Sequence, residues 1–305
     1  MESVKEQFVN YIHDLQDRIC AGLEEVDGKS KFILDKWERA EGGGGLTRVI
    51  SDGDVFEKGG VNTSVVYGLL PAAMQAAFNV PESNFFACGL SMVIHPRNPY
   101  VPTVHANWRY FELYDQNGDK LDSWFGGGAD LTPYYLFIED GKHFHTTLKN
   151  AMDKFGIDLY PKYKQHCDEY FVNKHRNNEA RGIGGVFYDY LRPVDDQDAL
   201  RLVEFQKANG NCFLDAYLPI VRKRKDMEYG EREVEWQEIR RGRYTEFNLV
   251  HDRGTLFGLK TNGRIESILM SLPPRARWYY NYQPEPGTPE ALLTEYLTPK
   301  DWVNI

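Results

Sequence analysis

The 305-residue chain is poor in cysteine, and Cys20, Cys88, Cys167 and Cys212 lie far apart with no CxxC pair. Neither a zinc module nor a disulfide framework is expected, and a reducing compartment is. No stretch approaches 18 consecutive apolar residues, so no membrane span is expected. The opening MESVKEQFVNYIHDLQDRI has no apolar core and is neither Arg/Ser-rich nor poor in acids, unlike a signal or transit peptide. The expected address is cytoplasmic. Basic residues are also outnumbered, 36 Lys and Arg against 45 Asp and Glu. A nucleic acid would need a basic face, so it is not an expected partner, and an anionic ligand must meet a local arginine cluster instead. The glycine run of Glu41 to Arg48 lacks the Lys-Ser/Thr ending of a nucleotide-binding loop and reads as a mobile lid or tight turn. There is no GxSxG elbow and no cysteine–histidine nucleophile signature.

What remains is a chain with 42% hydrophobic and 27% charged residues, enough for a well-filled core and read as a single domain over 1–305. Val4, Phe8, Ile12, Leu15, Ile19 and Leu23 recur at helical spacing, with Ser3 and Glu6 as a capping box and Gly28 as the stop. From Phe85 to Leu113 the period changes to two, and Asp115-Gln116-Asn117-Gly118 gives a hairpin turn before Leu121 to Phe125. Further strand-like runs are Gly184 to Tyr190, Tyr244 to Val250, Thr255 to Lys260 and Ser267 to Leu272. Helices are expected around Phe144 to Phe155, Tyr163 to Tyr170, 196–225 and 231–240. The pattern is α+β: a large antiparallel sheet of about seven strands sandwiched between layers of α-helices.

The chemistry-bearing residues sit on one parity of the two clearest strands. Phe86, Cys88, Leu90, Met92 and Ile94 are all apolar, whereas the alternate positions include Ser91 and His95. The next strand places His105, Asn107 and Arg109 together, with Val104, Ala106, Trp108 and Tyr110 opposite. Two neighbouring strands that both turn polar groups to one side describe either a solvated outer face or the wall of a polar pocket, and the pairing of the two favours the wall. Phe125-Gly126-Gly127-Gly128-Ala129-Asp130 puts a carboxylate after three glycines, where a flat ligand can approach the main chain and donate N–H groups to Asp130; a turn or helix cap is the plainer account. Arg181 and Arg264 each adjoin glycine and suit carboxylate recognition. The runs Arg222 to Lys225 and Arg240 to Arg243 read as solvated helix surface. The histidines are spread along the chain, so both acid/base work and metal binding stay open for them.

Taken in order, Gly89-Leu90-Ser91 to His95-Pro96, Asn98 to Thr103, His105-Ala106-Asn107, Phe125 to Gly128 with Asp130 to Pro133, Arg181 to Gly185, Arg241-Gly242-Arg243-Tyr244 with Glu246 to Leu249, and Asp252 to Thr255 resemble oxygen-dependent coproporphyrinogen III oxidase. The resemblance runs from about residue 5 to Trp302. It implies a homodimer that uses molecular oxygen to convert the ring A and B propionates of coproporphyrinogen III to vinyl groups, giving protoporphyrinogen IX, CO2 and H2O2 in haem biosynthesis. It implies that no organic cofactor is required. His105 and Asp130 would be catalytic, and Ser91, Asn107, Arg109, Arg181, Asn262, Gly263 and Arg264 would bind substrate. A version with a divalent metal on His95, His105, His145 and His175 stays open, as does a non-catalytic tetrapyrrole carrier. Animal-type relatives carry a basic residue where this chain has Ala180.

Overall fold

The computed structural model describes residues 2–260 and 263–305. Helix α1 (Val4–Asp27) opens with the Ser3/Glu6 capping box and ends on Gly28 at φ 76°, as its sequence requires. Strands β1 (Ile33–Glu38), β2 (Gly43–Ser51) and β3 (Phe56–Leu69) follow, then helix α2 (Ala72–Phe78). The long strands β4 (Asn84–Pro96), β5 (Thr103–Tyr114) and β6 (Lys120–Thr132) form the centre. After α3 (Ile138–Met152) and α4 (Leu159–Tyr170), a small ladder of β7 (Val172–Asn173) and β8 (Glu179–Ala180) leads into β9 (Gly184–Leu191). The chain then turns helical: α5 (Asp196–Asn211), α6 (Phe213–Arg224), α7 (Glu231–Val250), α8 (Arg253–Lys260), α9 (Ile265–Leu269) and α10 (Pro289–Tyr296).

The main sheet has seven strands in the order β1-β2-β3-β4-β5-β6-β9, every neighbouring pair antiparallel. Registers across the centre are Leu90↔Trp108↔Gly127 and Ser91↔Asn107↔Gly128, so the two parities fall on opposite faces over the whole sheet. One face carries Cys88, Leu90, Met92, Ile94, Val104, Ala106, Trp108 and Phe125 into the main core, with α1, α5 and α6 laid against it. Phe8 of α1 meets Tyr110 and Phe125 edge-on, and Phe213 of α6 meets Trp108 in the same way. Gln16 lies within this helix and is fully buried, yet its amide donates to the carbonyls of Leu46 and Val61 and so costs little. The other face is roofed in part by α7 and α9.

The strand count agrees with expectation, but its membership does not. The runs 244–250, 255–260 and 267–272 lie in or beside α7, α8 and α9, and β1, β2 and β3 supply the missing strands. In α7 the buried positions Trp236, Ile239, Arg240, Arg243, Tyr244 and Phe247 keep helical spacing, with arginines standing where an apolar stripe would be looked for. Asp252 caps α8 by accepting the Thr255 N–H at 2.7 Å. Of the two expectations for the glycine run, the tight turn is the one seen. Gly42, at φ 126°, lies in the turn between β1 and β2, and Gly43, at φ 81°, opens β2 ahead of Gly44 and Gly45. A Cβ on Gly45 would come within 2.5 Å of the Trp37 ring, so the glycine is where the indole of β1 crosses its partner strand. Nor is the 240–243 run solvated: Arg240, Arg241 and Arg243 are buried, with Arg241 donating to Glu57 and to the Pro96 carbonyl, both at 2.8 Å.

Candidate functional site

The polar parity of β4, β5 and β6 forms three successive rows, and each row has a different character. The first joins Val93, His105, Asp130 and Gly185; the second Asn62, Ser91, Asn107 and Gly128; the third Ser64, Gly89, Arg109 and Gly126. Sheet geometry therefore brings Ser91, His105, Asn107, Arg109 and Asp130 to one surface, as the alternation requires.

Asp130 is the most constrained of them. It is buried, Arg181 donates to its Oδ2 at 2.7 Å, and His105 Nδ1 lies 2.8 Å from its Oδ1. Burial alone would raise the carboxyl, but the Arg181 charge and the His105 hydrogen bond outweigh it and hold Asp130 below the usual carboxylate range. Arg181 is itself buried, packed over Phe171 at 4.1 Å and over Tyr244 and Phe247 at 4.8 Å each, with Asn248 accepting a second bond at 3.0 Å. Arg181 is thus committed to Asp130 rather than presented to a ligand. The open end of the chain is His105, whose ring rests edge-on against Phe171. Its Nδ1 faces an ionised carboxylate, which favours the proton on Nδ1 and leaves the Nε2 lone pair free to accept a proton.

Hydrogen-bonding capacity is left over across the rest of the surface. Asn62 Oδ1, Asn107 Oδ1 and the Nε and Nη2 of Arg109 are buried atoms with no hydrogen-bond partner among the described residues. Native proteins rarely leave such groups orphaned, because each costs roughly 1–3 kcal/mol, so several on one face mark a place where a ligand completes the bonding. Ser91 is exposed beside them. Glycine makes the floor bare under Arg109. A Cβ on Gly89 would lie 3.2 Å from its Cγ, and one on Gly126 would lie 3.1 Å from its Nη2.

Arg264 reaches the same side of the sheet at its other edge, where it contacts Thr47, Ser267 and the carboxylate of Asp35. Gly263 closes onto the Gly258 carbonyl at 2.8 Å. Asn262 lies outside the described residues. Asn62, which shares a row with Ser91, was not singled out from sequence, because β3 carries three glycines and weak alternation and was not read as a strand.

The four histidines considered for a metal do not share a site. His95 is fully buried, with Nε2 on the Ser271 carbonyl at 2.8 Å and Nδ1 on Thr103 at 3.2 Å, and burial pushes its pKa well below the ordinary histidine value. His145 is likewise buried, with both nitrogens taken by Tyr160 and the Ile183 carbonyl, and burial pushes it down to about 3. His175 lies in another cluster, bonded to His251 at 2.7 Å and Glu246 at 3.0 Å. Among the described residues no three His, Cys, Asp or Glu side chains stand close enough to hold an ion together. The proposed quartet does not fit a metal.

A glycine-floored surface with arginine and amide groups that lack hydrogen-bond partners, beside a poised histidine–carboxylate pair, suits an enzyme that binds a large flat anion and moves protons on it. Residues 7–302 match the family model described as coproporphyrinogen III oxidase, and the chain belongs to that family. It is accordingly an oxidoreductase of haem biosynthesis that acts on coproporphyrinogen III. No helix among the described residues is long and apolar enough to cross a membrane.

Proposed function

We propose that this chain carries out the oxygen-dependent reaction, converting the ring A and B propionates of coproporphyrinogen III to vinyl groups and yielding protoporphyrinogen IX. For each side chain, propionate, O2 and a proton give vinyl, CO2 and H2O2. Two electrons leave the substrate for oxygen, and the C–H bond next to the pyrrole and the bond to the carboxylate both break. The reduced macrocycle is electron-rich and can supply those electrons itself, so no organic cofactor is required. The observation that carries the reading is the Arg181–Asp130–His105 chain, which ends in an open imidazole on a surface with unfilled donors and acceptors. His105 is the group that accepts or returns the proton, Asp130 fixes its tautomer, and Arg181 keeps Asp130 ionised. Arg109, Asn107 and Ser91 hold the substrate beside it. A carboxylate so tightly engaged acts on the macrocycle chiefly through His105, with the remaining lone pairs of its oxygens available to pyrrole N–H donors.

Two further parts of the reading come from the family likeness and from the sequence pattern, in that order. The chain works as a homodimer, for which the edge strand β1, exposing Ile33 and Leu34, is a surface a second copy can cover. It works in the cytoplasm. The test of the reaction is turnover of coproporphyrinogen III by chelator-treated protein with and without oxygen, with the products identified. Vinyl formation only in air, unaffected by chelation, is the expected result. Undiminished turnover without oxygen, a requirement for a metal, or recovery of all four propionates would overturn it.

A further inference from the structure

Helix α5 carries a polar side chain in the middle of its buried stripe that the reaction chain above does not use. Leu202, Val203, Phe205, Gln206 and Asn209 face inward at helical spacing, and Gln206 is completely buried. A buried amide is tolerated where its hydrogen bonds are made. Gln206 Nε2 donates to the Gly126 carbonyl at 3.0 Å and, at longer range, to the Arg109 carbonyl at 3.5 Å. Its Oε1 accepts from the Tyr188 hydroxyl at 2.8 Å.

The backbone that Gln206 serves lies at a break in the sheet. Between β6 and β9 the pairs run Phe125↔Leu191 and then Gly127↔Tyr188, so Asp189 and Tyr190 together stand opposite Gly126. Such a bulge interrupts the ladder, and Tyr190 within it is held at φ 54°. The Gly126 carbonyl is bonded here by a side chain from the core. A Cβ on Gly127 would lie 2.8 Å from the Tyr188 hydroxyl, so the bare backbone lets the phenol lie under β6 and reach Gln206.

Only the thickness of the sheet separates this strut from the ligand face. Gly126 pairs with Arg109, and a Cβ on Gly126 would stand 3.1 Å from Arg109 Nη2. Arg109 Nε and Nη2 have no hydrogen-bond partner among the described residues, and the Asp189 carboxylate comes no nearer than 3.7 Å. The placement of the guanidinium therefore depends on the backbone beneath it.

We propose that Gln206 is a positioning residue: acting from the core through the Gly126 and Arg109 carbonyls, it sets where the Arg109 guanidinium meets the substrate. This rests on the reading of Arg109 as a substrate-binding group. His105 and Asp130 lie two rows away, so the effect falls on binding and leaves proton transfer intact.

A double-mutant cycle read by fluorescence titration of the full chain with coproporphyrin III, an oxidised and unreactive porphyrin, tests this alongside steady-state kinetics. Gln206→Met keeps the volume and removes the amide; the dissociation constant and KM are expected to rise about fivefold with kcat within about twofold. In an Arg109→Ala background the same substitution is expected to change affinity less than about 1.5-fold, because no guanidinium is left to misplace. Tyr188→Phe, which frees Gln206 Oε1, should weaken binding by a smaller factor and serves where Gln206→Met folds poorly. Loss of folded protein lowers the titration amplitude and not the dissociation constant. A merely structural role thus leaves that constant at the wild-type value, which would overturn the proposal, as would equal weakening by Gln206→Met with and without Arg109. If Arg109→Ala alone leaves coproporphyrin III affinity unchanged, Arg109 is not a binding group, and the strut has nothing to position.

Discussion

The two faces of the sheet are made from the same strands and differ by one residue in register, yet they follow opposite rules. On the face under α1 and α6 the described side chains are largely apolar, the buried amide of Gln16 is bonded, and stability comes from removing area from water. On the other face, polar atoms are buried without partners and a charged pair is held in the interior. That face gives up stability that the first face supplies, and the unfilled bonds are the signature of a surface built for a ligand rather than for packing.

Neighbouring residues expose the contrast most sharply. Leu90 is 1% exposed in the core, so Leu90→Asn leaves a cavity and an unbonded amide and should cost about 4 kcal/mol or more, read by denaturant unfolding. A loss below about 1 kcal/mol would mean that the faces are not as different as described.

The histidines give the next effect. The native state keeps His145 neutral down to about pH 3, whereas the unfolded chain takes up that proton below about pH 6.5. Acidification thus favours the unfolded chain, and stability should fall by up to about 1.4 kcal/mol per pH unit for this group below pH 6.5. Buried His95 acts in the same direction. His145→Gln should flatten the slope of unfolding free energy between pH 6.5 and 5; an unchanged slope would show that His145 does not titrate as described.

On the ligand face, Gly126→Ala adds a methyl group where Asp189 and Arg109 already stand, at 2.8 and 3.1 Å. KM for coproporphyrinogen III should rise about tenfold, the scale of one lost charge-assisted hydrogen bond. An unchanged KM would remove Arg109 from substrate binding. The smallest effect belongs to Ser91→Ala, which should leave stability within about 0.5 kcal/mol while raising KM a few-fold. A large stability loss there would contradict the exposed, unpacked position of Ser91.

Much of this was legible in the sequence where local pattern and tertiary structure agree. Alternation through β4 and β5 announced both faces, and the Asn117-Gly118 turn, with Gly118 at φ 89°, led into β6 past a register shift between Leu113 and Tyr114. Elsewhere local pattern misled. Tyr244 to Val250 is rich in residues that favour strands, but Tyr244 and Phe247 box Arg181 from a helix, and that tertiary demand outweighs local preference. β1 is exposed on nearly every residue and so shows no alternation to read. His95 and His145 carry the same letter as His105; only their buried partners reveal that they are structural. The partners of Asp130 were likewise hidden, because Arg181 reaches it from 51 positions away.

The proposed role of the Asp130 carboxylate is to sustain proton transfer through His105 on the ligand face. Asp130→Asn, assayed aerobically at saturating coproporphyrinogen III with coproporphyrin III affinity measured alongside, addresses it directly. The expected result is a fall in kcat of about 10²-fold or more with porphyrin still bound. A kcat within about threefold of wild type would remove Asp130 from proton transfer.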